Sequence, residues 1–299
     1  MSIKSWLQAF RLRTLPLALA SIGMAGFLAA SANVFRPSIF IGCVVTTIFL
    51  QILSNLANDY GDSIHGADHA GRKGPARAVQ SGTISLLHMK IAVIVFSLLS
   101  LVSGIVLIDL SVGWNGTAFF FFLGLGVLSI LAAIGYTVGK KPYGYVGLGD
   151  ISVLIFFGWV GVMGSYYLFA QQIEWTILLP ATSCGFFAVG VLNINNIRDI
   201  ESDQAAGKYS IPVRIGKQKA AYYHIFLILG GLVCAGIFTY MHWKSPWQLL
   251  FLTTAFAFIP IGKSVLDKPS VELDPYLKRM ALTTLLFVVL FGLGLLASN

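Results

Sequence analysis

The hydrophobic pattern of this chain is one of long, nearly uninterrupted apolar runs, with neither the alternation of half-buried strands nor the one-sided stripe of soluble helices. About nine runs reach the roughly 20 apolar residues a helix needs to cross a bilayer. They fall near 15–33, 38–57, 89–108, 117–137, 150–170, 176–196, 221–240, 247–262 and 279–297. Polar residues gather between them, sparsely in alternate connections and densely in 58–88, 138–149, 197–220 and 263–278. The pattern predicts an all-α polytopic membrane protein, a bundle of about nine transmembrane helices. With 57% hydrophobic residues over 299, the apolar content is too large for one water-soluble core.

Charge then orients the bundle. With the N-terminus inside, only Arg36 and Lys244 of the 20 lysines and arginines fall in outer loops, and only Asp109 and Glu174 of the 12 acids. This is a strong positive-inside bias. The expected location is therefore the bacterial inner membrane, with the N-terminus and the long loops cytoplasmic. The net charge of +8 becomes a property of that face, suited to anionic lipid and anionic substrates; nothing supports nucleic-acid binding. Lys4, Arg11 and Arg13 before an apolar stretch imitate a secretory signal. Pro16, in a first-turn position, instead marks a retained first helix. Cys43, Cys184 and Cys234 lie inside apolar runs and read as packing residues, and the five histidines form no zinc-ligand spacing.

Against so few charges, two acidic clusters stand out. The first is Asn55-Leu-Ala-Asn58-Asp59-Tyr60-Gly61-Asp62, with Asp68 beyond it; the second is Asn195-Asn196-Ile-Arg198-Asp199-Ile-Glu201-Ser-Asp203. Each closes an apolar run and is followed by a basic loop, four spans apart. The chain thus reads as a single domain, 1–299, with an internal parallel repeat whose motif loops are 55–88 and 195–220. The two acidic ends should face each other across a central cavity open to the cytoplasmic side. On a helix, Asn55, Asp59 and Asp62 share a face, and so do Asn195, Asp199 and Asp203. Carboxylates one turn apart, roughly 6 Å, repel by about 3 kcal/mol at an effective dielectric of 20, so the arrangement calls for cations.

Oxygen-only ligands favour a hard ion such as Mg²⁺, which binds through a few carboxylates and the phosphate oxygens of a substrate. The candidate ligands are Asp59, Asp199 and Asp203, with Asp62 and Asp68 competing to complete the first cluster. Arg72, Lys73, Arg77, Arg198 and Lys208 in the adjoining loops suit the remaining charge of a diphosphate. Asn55, Asn58 and Asn195 complete the candidate substrate-binding set. A third constellation holds Tyr136 and Lys140, four residues apart. That spacing lets both face the cavity from the end of the fourth helix; the alternative is that Lys140 and Lys141 are inside-anchoring positive charges. Asp150 either caps the field of a helix N-terminus or contacts substrate. Phe156, Phe157 and Trp159 are candidates for lining a cavity for an isoprenoid tail.

These motifs, together with Gly66, Gly147–Asp150 and Gly207-Lys208, resemble those of the UbiA-type intramembrane aromatic prenyltransferases over nearly the whole chain. The wording around Asn55–Asp62, Gly74–Arg77 and Leu192–Asp199 is similar to members that use 1,4-dihydroxy-2-naphthoate. The resemblance implies a nine-helix bundle that moves a polyprenyl group from polyprenyl diphosphate onto dihydroxynaphthoate. Loss of CO2 and diphosphate would give demethylmenaquinone. It also implies catalytic roles for Asp59, Asp199, Asp203, Tyr136 and Lys140, with Mg²⁺ as cofactor. Another aromatic acceptor, such as 4-hydroxybenzoate, would use the same diphosphate motifs. An ion-coupled transporter is the alternative of a different class; it would want its acids near the bilayer midplane, whereas here they sit at helix ends.

Overall fold

The computed structural model describes residues 2–65, 77–114 and 116–299. Among them, nine helices are long and apolar enough to span a membrane. They are α1 (Ile3–Ser31), α2 (Pro37–Ile64), α3 (Leu86–Val112), α4 (Thr117–Gly135), α5 (Gly149–Ala170), α6 (Trp175–Arg198), α7 (Lys217–Met241), α8 (Pro246–Asp267) and α9 (Asp274–Leu296). The expected bundle is therefore present, but the motif-bearing helices run on where the apolar runs stop. Helix α2 carries its first acidic motif in continuous helix to Ile64, seven residues past the expected end at 57. Apolarity measures only the stretch in contact with lipid or core; the backbone continues for as long as its carbonyls find donors.

Helix α6 is the hub. Two thirds of its most apolar window is buried, against about a tenth for α4, which packs mainly on α2 and α3 at the periphery. Helices α5, α7 and α9 all pack against α6, and α1 lies between α9 and α5. Close approach of α5 and α6 depends on Gly158: a methyl there would lie 2.7 Å from the Ala181 carbonyl and 2.9 Å from the Gly185 Cα. Small residues let backbones touch where lipid offers no hydrophobic drive between helices. The same part of α5, Leu154–Gly164, is wound as a π-helix, a geometry that turns up mostly beside functional sites.

Two breaks shape the polar end of the bundle. In α1 the helix stops at Phe10, and Arg11 takes a left-handed conformation (φ 49°) before the chain restarts at Leu12. A non-glycine residue there carries strain, offset by tethers. Asn55 of α2 donates to the Phe10 carbonyl (2.9 Å) and to the Thr14 hydroxyl (3.1 Å). The other break is at Asp199, where α6 ends and a short helix, Ile200–Ala205, begins. The second motif is thus not one straight helical face as expected. A bond from the Asp203 amide to the Asp199 carbonyl (2.8 Å) still stacks the two acids one turn apart.

Candidate active site

The buried carboxylates among the described residues are Asp59, Asp62, Asp150, Asp199 and Asp203, all from the predicted motifs or next to them. In the first motif each acid meets a guanidinium from elsewhere in the chain. Arg11 pairs with Asp59, and Arg77 pairs with Asp62 while its Nε lies 3.7 Å from Asp59. The Tyr145 hydroxyl donates to Asp62 at 2.7 Å, and the Ala78 amide to Asp59 at 3.4 Å. In the second motif the cations are local. Arg198 forks onto both oxygens of its neighbour Asp199 (2.8 and 2.7 Å), reaches Asn195 (2.8 Å) and pairs with Asp274. Lys208 lies 3.1 Å from Asp203.

The motifs face each other. Asp62 and Asp203 are within electrostatic range, and Lys208 and Tyr136 feel both. Burial holds the Asp203 carboxyl above the usual carboxylate range, against the pull of Lys208. For Lys208 burial works against the charge, but Asp203, Tyr136 and Asp62 outweigh it and hold the ammonium above the usual lysine value. Burial pushes the Tyr136 hydroxyl up to about 12, so it stays a proton donor at neutral pH. Tyr136 is brought here by the chain just after α4 packing on α2. A methyl on Gly61 would lie 2.5 Å from the Thr137 hydroxyl and 2.6 Å from its carbonyl, so only glycine admits this contact.

Several expected positions lie elsewhere. Helix α4 ends at Gly135 and Gly139 turns with φ 120°, which leaves Lys140 exposed and off the face that carries Tyr136. The four-residue spacing assumed a helix that has already ended. Asp150 is buried but lines a second, separate pocket. Asp68, Arg72 and Lys73 lie outside the described residues. Sequence reasoning missed Arg11, Asp274 and Tyr145 as partners of the acids. Arg11 had been read only as an orienting charge, and no local spacing ties it to Asp59, 48 residues away.

Beside the acids opens a cavity of about 340 Å³ between α1, α2, α3, α4 and α5. Asn55, Asn58 and Tyr136 stand at its polar end. Its walls include Leu50, Leu107, Leu125, Phe156, Phe157 and Val160, with Cys43 and Leu168 among the residues lining it. Phe156 and Phe157 thus line it, whereas Trp159 is partly exposed and donates to Thr182 (3.1 Å). The Asn58 side-chain oxygen accepts from Thr137 (3.3 Å). An anionic head held at the acids would have an apolar tail channel directly behind it.

Among the described residues, no three acidic, histidine or cysteine side chains converge into a ready metal cage. The donor set is nevertheless the one Mg²⁺ uses. It is made of oxygens alone, two buried carboxylates in each motif, and each of these acids has a guanidinium or ammonium partner.

A family model described as the UbiA prenyltransferase family matches residues 19–282. The 1,4-dihydroxy-2-naphthoate octaprenyltransferase of Escherichia coli (strain K12) is 46% identical, covering 99% of this chain and 96% of the relative. That of Haemophilus influenzae is 45% identical, covering 98% and 96%. Among solved structures, a UbiA homolog from Archaeoglobus fulgidus bound to DMAPP and Mg²⁺ aligns with a TM-score of 0.65 at 16% identity, over 99% of this chain and all of that one. At that identity the likeness establishes the fold.

Proposed function

The chain belongs to the UbiA prenyltransferase family, and on that premise we propose that it transfers a polyprenyl group from polyprenyl diphosphate to 1,4-dihydroxy-2-naphthoate, giving the hydroquinone form of demethylmenaquinone. The observation that carries this reading is the junction of two facing, cation-paired acidic motifs with an apolar cavity. Relatives of nearly equal length and above 40% identity are named for this reaction. The polar end of the bundle faces the cytoplasm of the bacterial inner membrane, consistent with its basic loops.

Asp59, Asp62, Asp199 and Asp203 would hold Mg²⁺ together with the diphosphate. When bound, Mg²⁺ neutralises the charge that grows on the leaving diphosphate. Arg11, Arg77 and Lys208, released from their carboxylates, take diphosphate oxygens. Tyr136 donates its proton toward the same group, and Asn58 marks the boundary between head and tail. The cavity walls exclude water while the carbon–oxygen bond breaks, so the allylic carbon meets the naphthalene ring rather than solvent. The diphosphate leaves with the bonding electrons, a ring carbon forms the new carbon–carbon bond, and CO2 departs.

The purified protein with one polyprenyl diphosphate should prenylate dihydroxynaphthoate in the presence of Mg²⁺ and lose activity with a chelator. Prenylation of 4-hydroxybenzoate in its place would overturn the acceptor, and no product from either would overturn the reading.

A further inference from the structure

Asp150 is the exception among the buried acids. Among the described residues, Asp59, Asp62, Asp199 and Asp203 each have an arginine or lysine partner, but Asp150 has none. It is 7% exposed, and its Oδ2 has no hydrogen-bond partner among the described residues; the Tyr223 hydroxyl bonds to the carboxylate, and Tyr136 lies within electrostatic range of it. A buried carboxylate without a counter-charge is costly, and the cost is relieved by a cation with N–H donors. Asp150 lines a pocket of about 330 Å³, separate from the tail cavity, at the polar end of α5, α6 and α7. The other walls are apolar: Leu148, Ile151, Leu154, Phe186 and Leu227, of which Leu148 and Ile151 are exposed on the outer surface of the bundle.

A second charge stands at the rim. The Arg214 guanidinium lies over Gly147, another lining residue, and donates only to the carbonyls of Tyr209 (3.0 Å) and Val146 (2.9 Å). Among the described residues it has no carboxylate partner. The pocket therefore presents an unmatched anion inside, an unmatched cation at its mouth, and an apolar surface facing lipid.

We propose that this pocket binds a zwitterionic phospholipid with a primary ammonium headgroup, the ammonium on Asp150 and Tyr223, the phosphate on Arg214, and the acyl chains along Ile151 and Leu154. A quaternary ammonium lacks the N–H donors that Oδ2 requires, and an anionic headgroup would meet Asp150 with like charge. The pocket is distinct from the tail cavity, and the proposal does not rest on the reaction assigned to that cavity.

The test is lipid binding to the purified full-length protein in detergent, followed by native mass spectrometry. The lipids are phosphatidylethanolamine, phosphatidylcholine and phosphatidylglycerol with identical acyl chains. The ethanolamine lipid should bind about tenfold or more tightly than either of the others, as expected for a charge-assisted contact that only it makes. Asp150→Asn should erase that preference. Ile151→Trp, at a surface position where folding is not at stake, should erase it by blocking the groove. Equal binding of the three lipids, or a preference that survives in both variants, would overturn the proposal. Displacement of the lipid by soluble phosphoethanolamine would also overturn it, because the acyl chains would then contribute nothing.

Discussion

The two acidic motifs occupy equivalent positions in their helices but are built in opposite ways. The first rides on unbroken helix and takes its cations from far along the chain, Arg11 from the kink in α1 and Arg77 from the loop after α2. The second breaks its helix at Asp199 and carries its cations with it, Arg198 next to Asp199 and Lys208 five residues beyond Asp203. One half of the site therefore depends on the docking of α1 and the loop, while the other assembles almost wholly within one segment. Arg11 and Arg77 reach the first motif from separate elements, whereas Arg198 sits beside Asp199 and is held by three partners.

The largest expected effect comes from removing a carboxylate on either side. Asp59→Asn and Asp199→Asn should each cut prenyl transfer by on the order of 100-fold or more, as losing one preorganised electrostatic contact to a leaving group does. Both variants should insert and purify normally; an active Asp199→Asn protein would remove the second motif from the mechanism. Next come the arginines, which separate the motifs by stability. Arg198→Gln strands a buried Asp199 and should cost on the order of 3 kcal/mol, seen as a lower thermal midpoint in detergent. Arg11→Gln should shift that midpoint less, because Arg11 is partly exposed and Arg77 stays near Asp59. Equal shifts would contradict the difference in construction.

The pH response should be smaller and can be read at the second motif. Burial raises the Asp203 carboxyl, so the folded protein favours its protonated form. The stability linked to that group is present below the ordinary aspartate range and fades as pH rises through the raised value. Metal binding runs the other way, since a ligand must be ionised. Donor retention by Mg²⁺ should therefore weaken on acidification at a pH above the ordinary aspartate range, and Asp203→Asn should remove that step. Tyr136→Phe should have the mildest effect, about 10-fold or less in turnover, the range of a single neutral hydrogen bond.

Much of this was legible in the sequence because membrane helices announce themselves by length and apolarity, and because acids are too costly there to be incidental. Asp59, Asp62, Asp199 and Asp203 stood out for that reason, and Arg198 and Lys208 lay close enough in the chain to be read with them. Arg11 and Asp274 did not, since their partners are joined only through the packing of α1 and α9 against the rest of the bundle. Lys140 shows the converse error. A four-residue spacing puts two side chains on one face only while the backbone stays helical, and the chain leaves the helix at Tyr136.

The most direct test of two motifs acting as one site is Mg²⁺-dependent binding of a non-reactive polyprenyl thiolodiphosphate to the wild-type protein, Asp59→Asn, Asp199→Asn and the double variant. Binding should need Mg²⁺, each single substitution should abolish most of it, and the double variant should lose little more than either single, the signature of strongly coupled residues. Losses that simply add, or binding indifferent to Mg²⁺, would show that the two motifs do not hold one diphosphate between them.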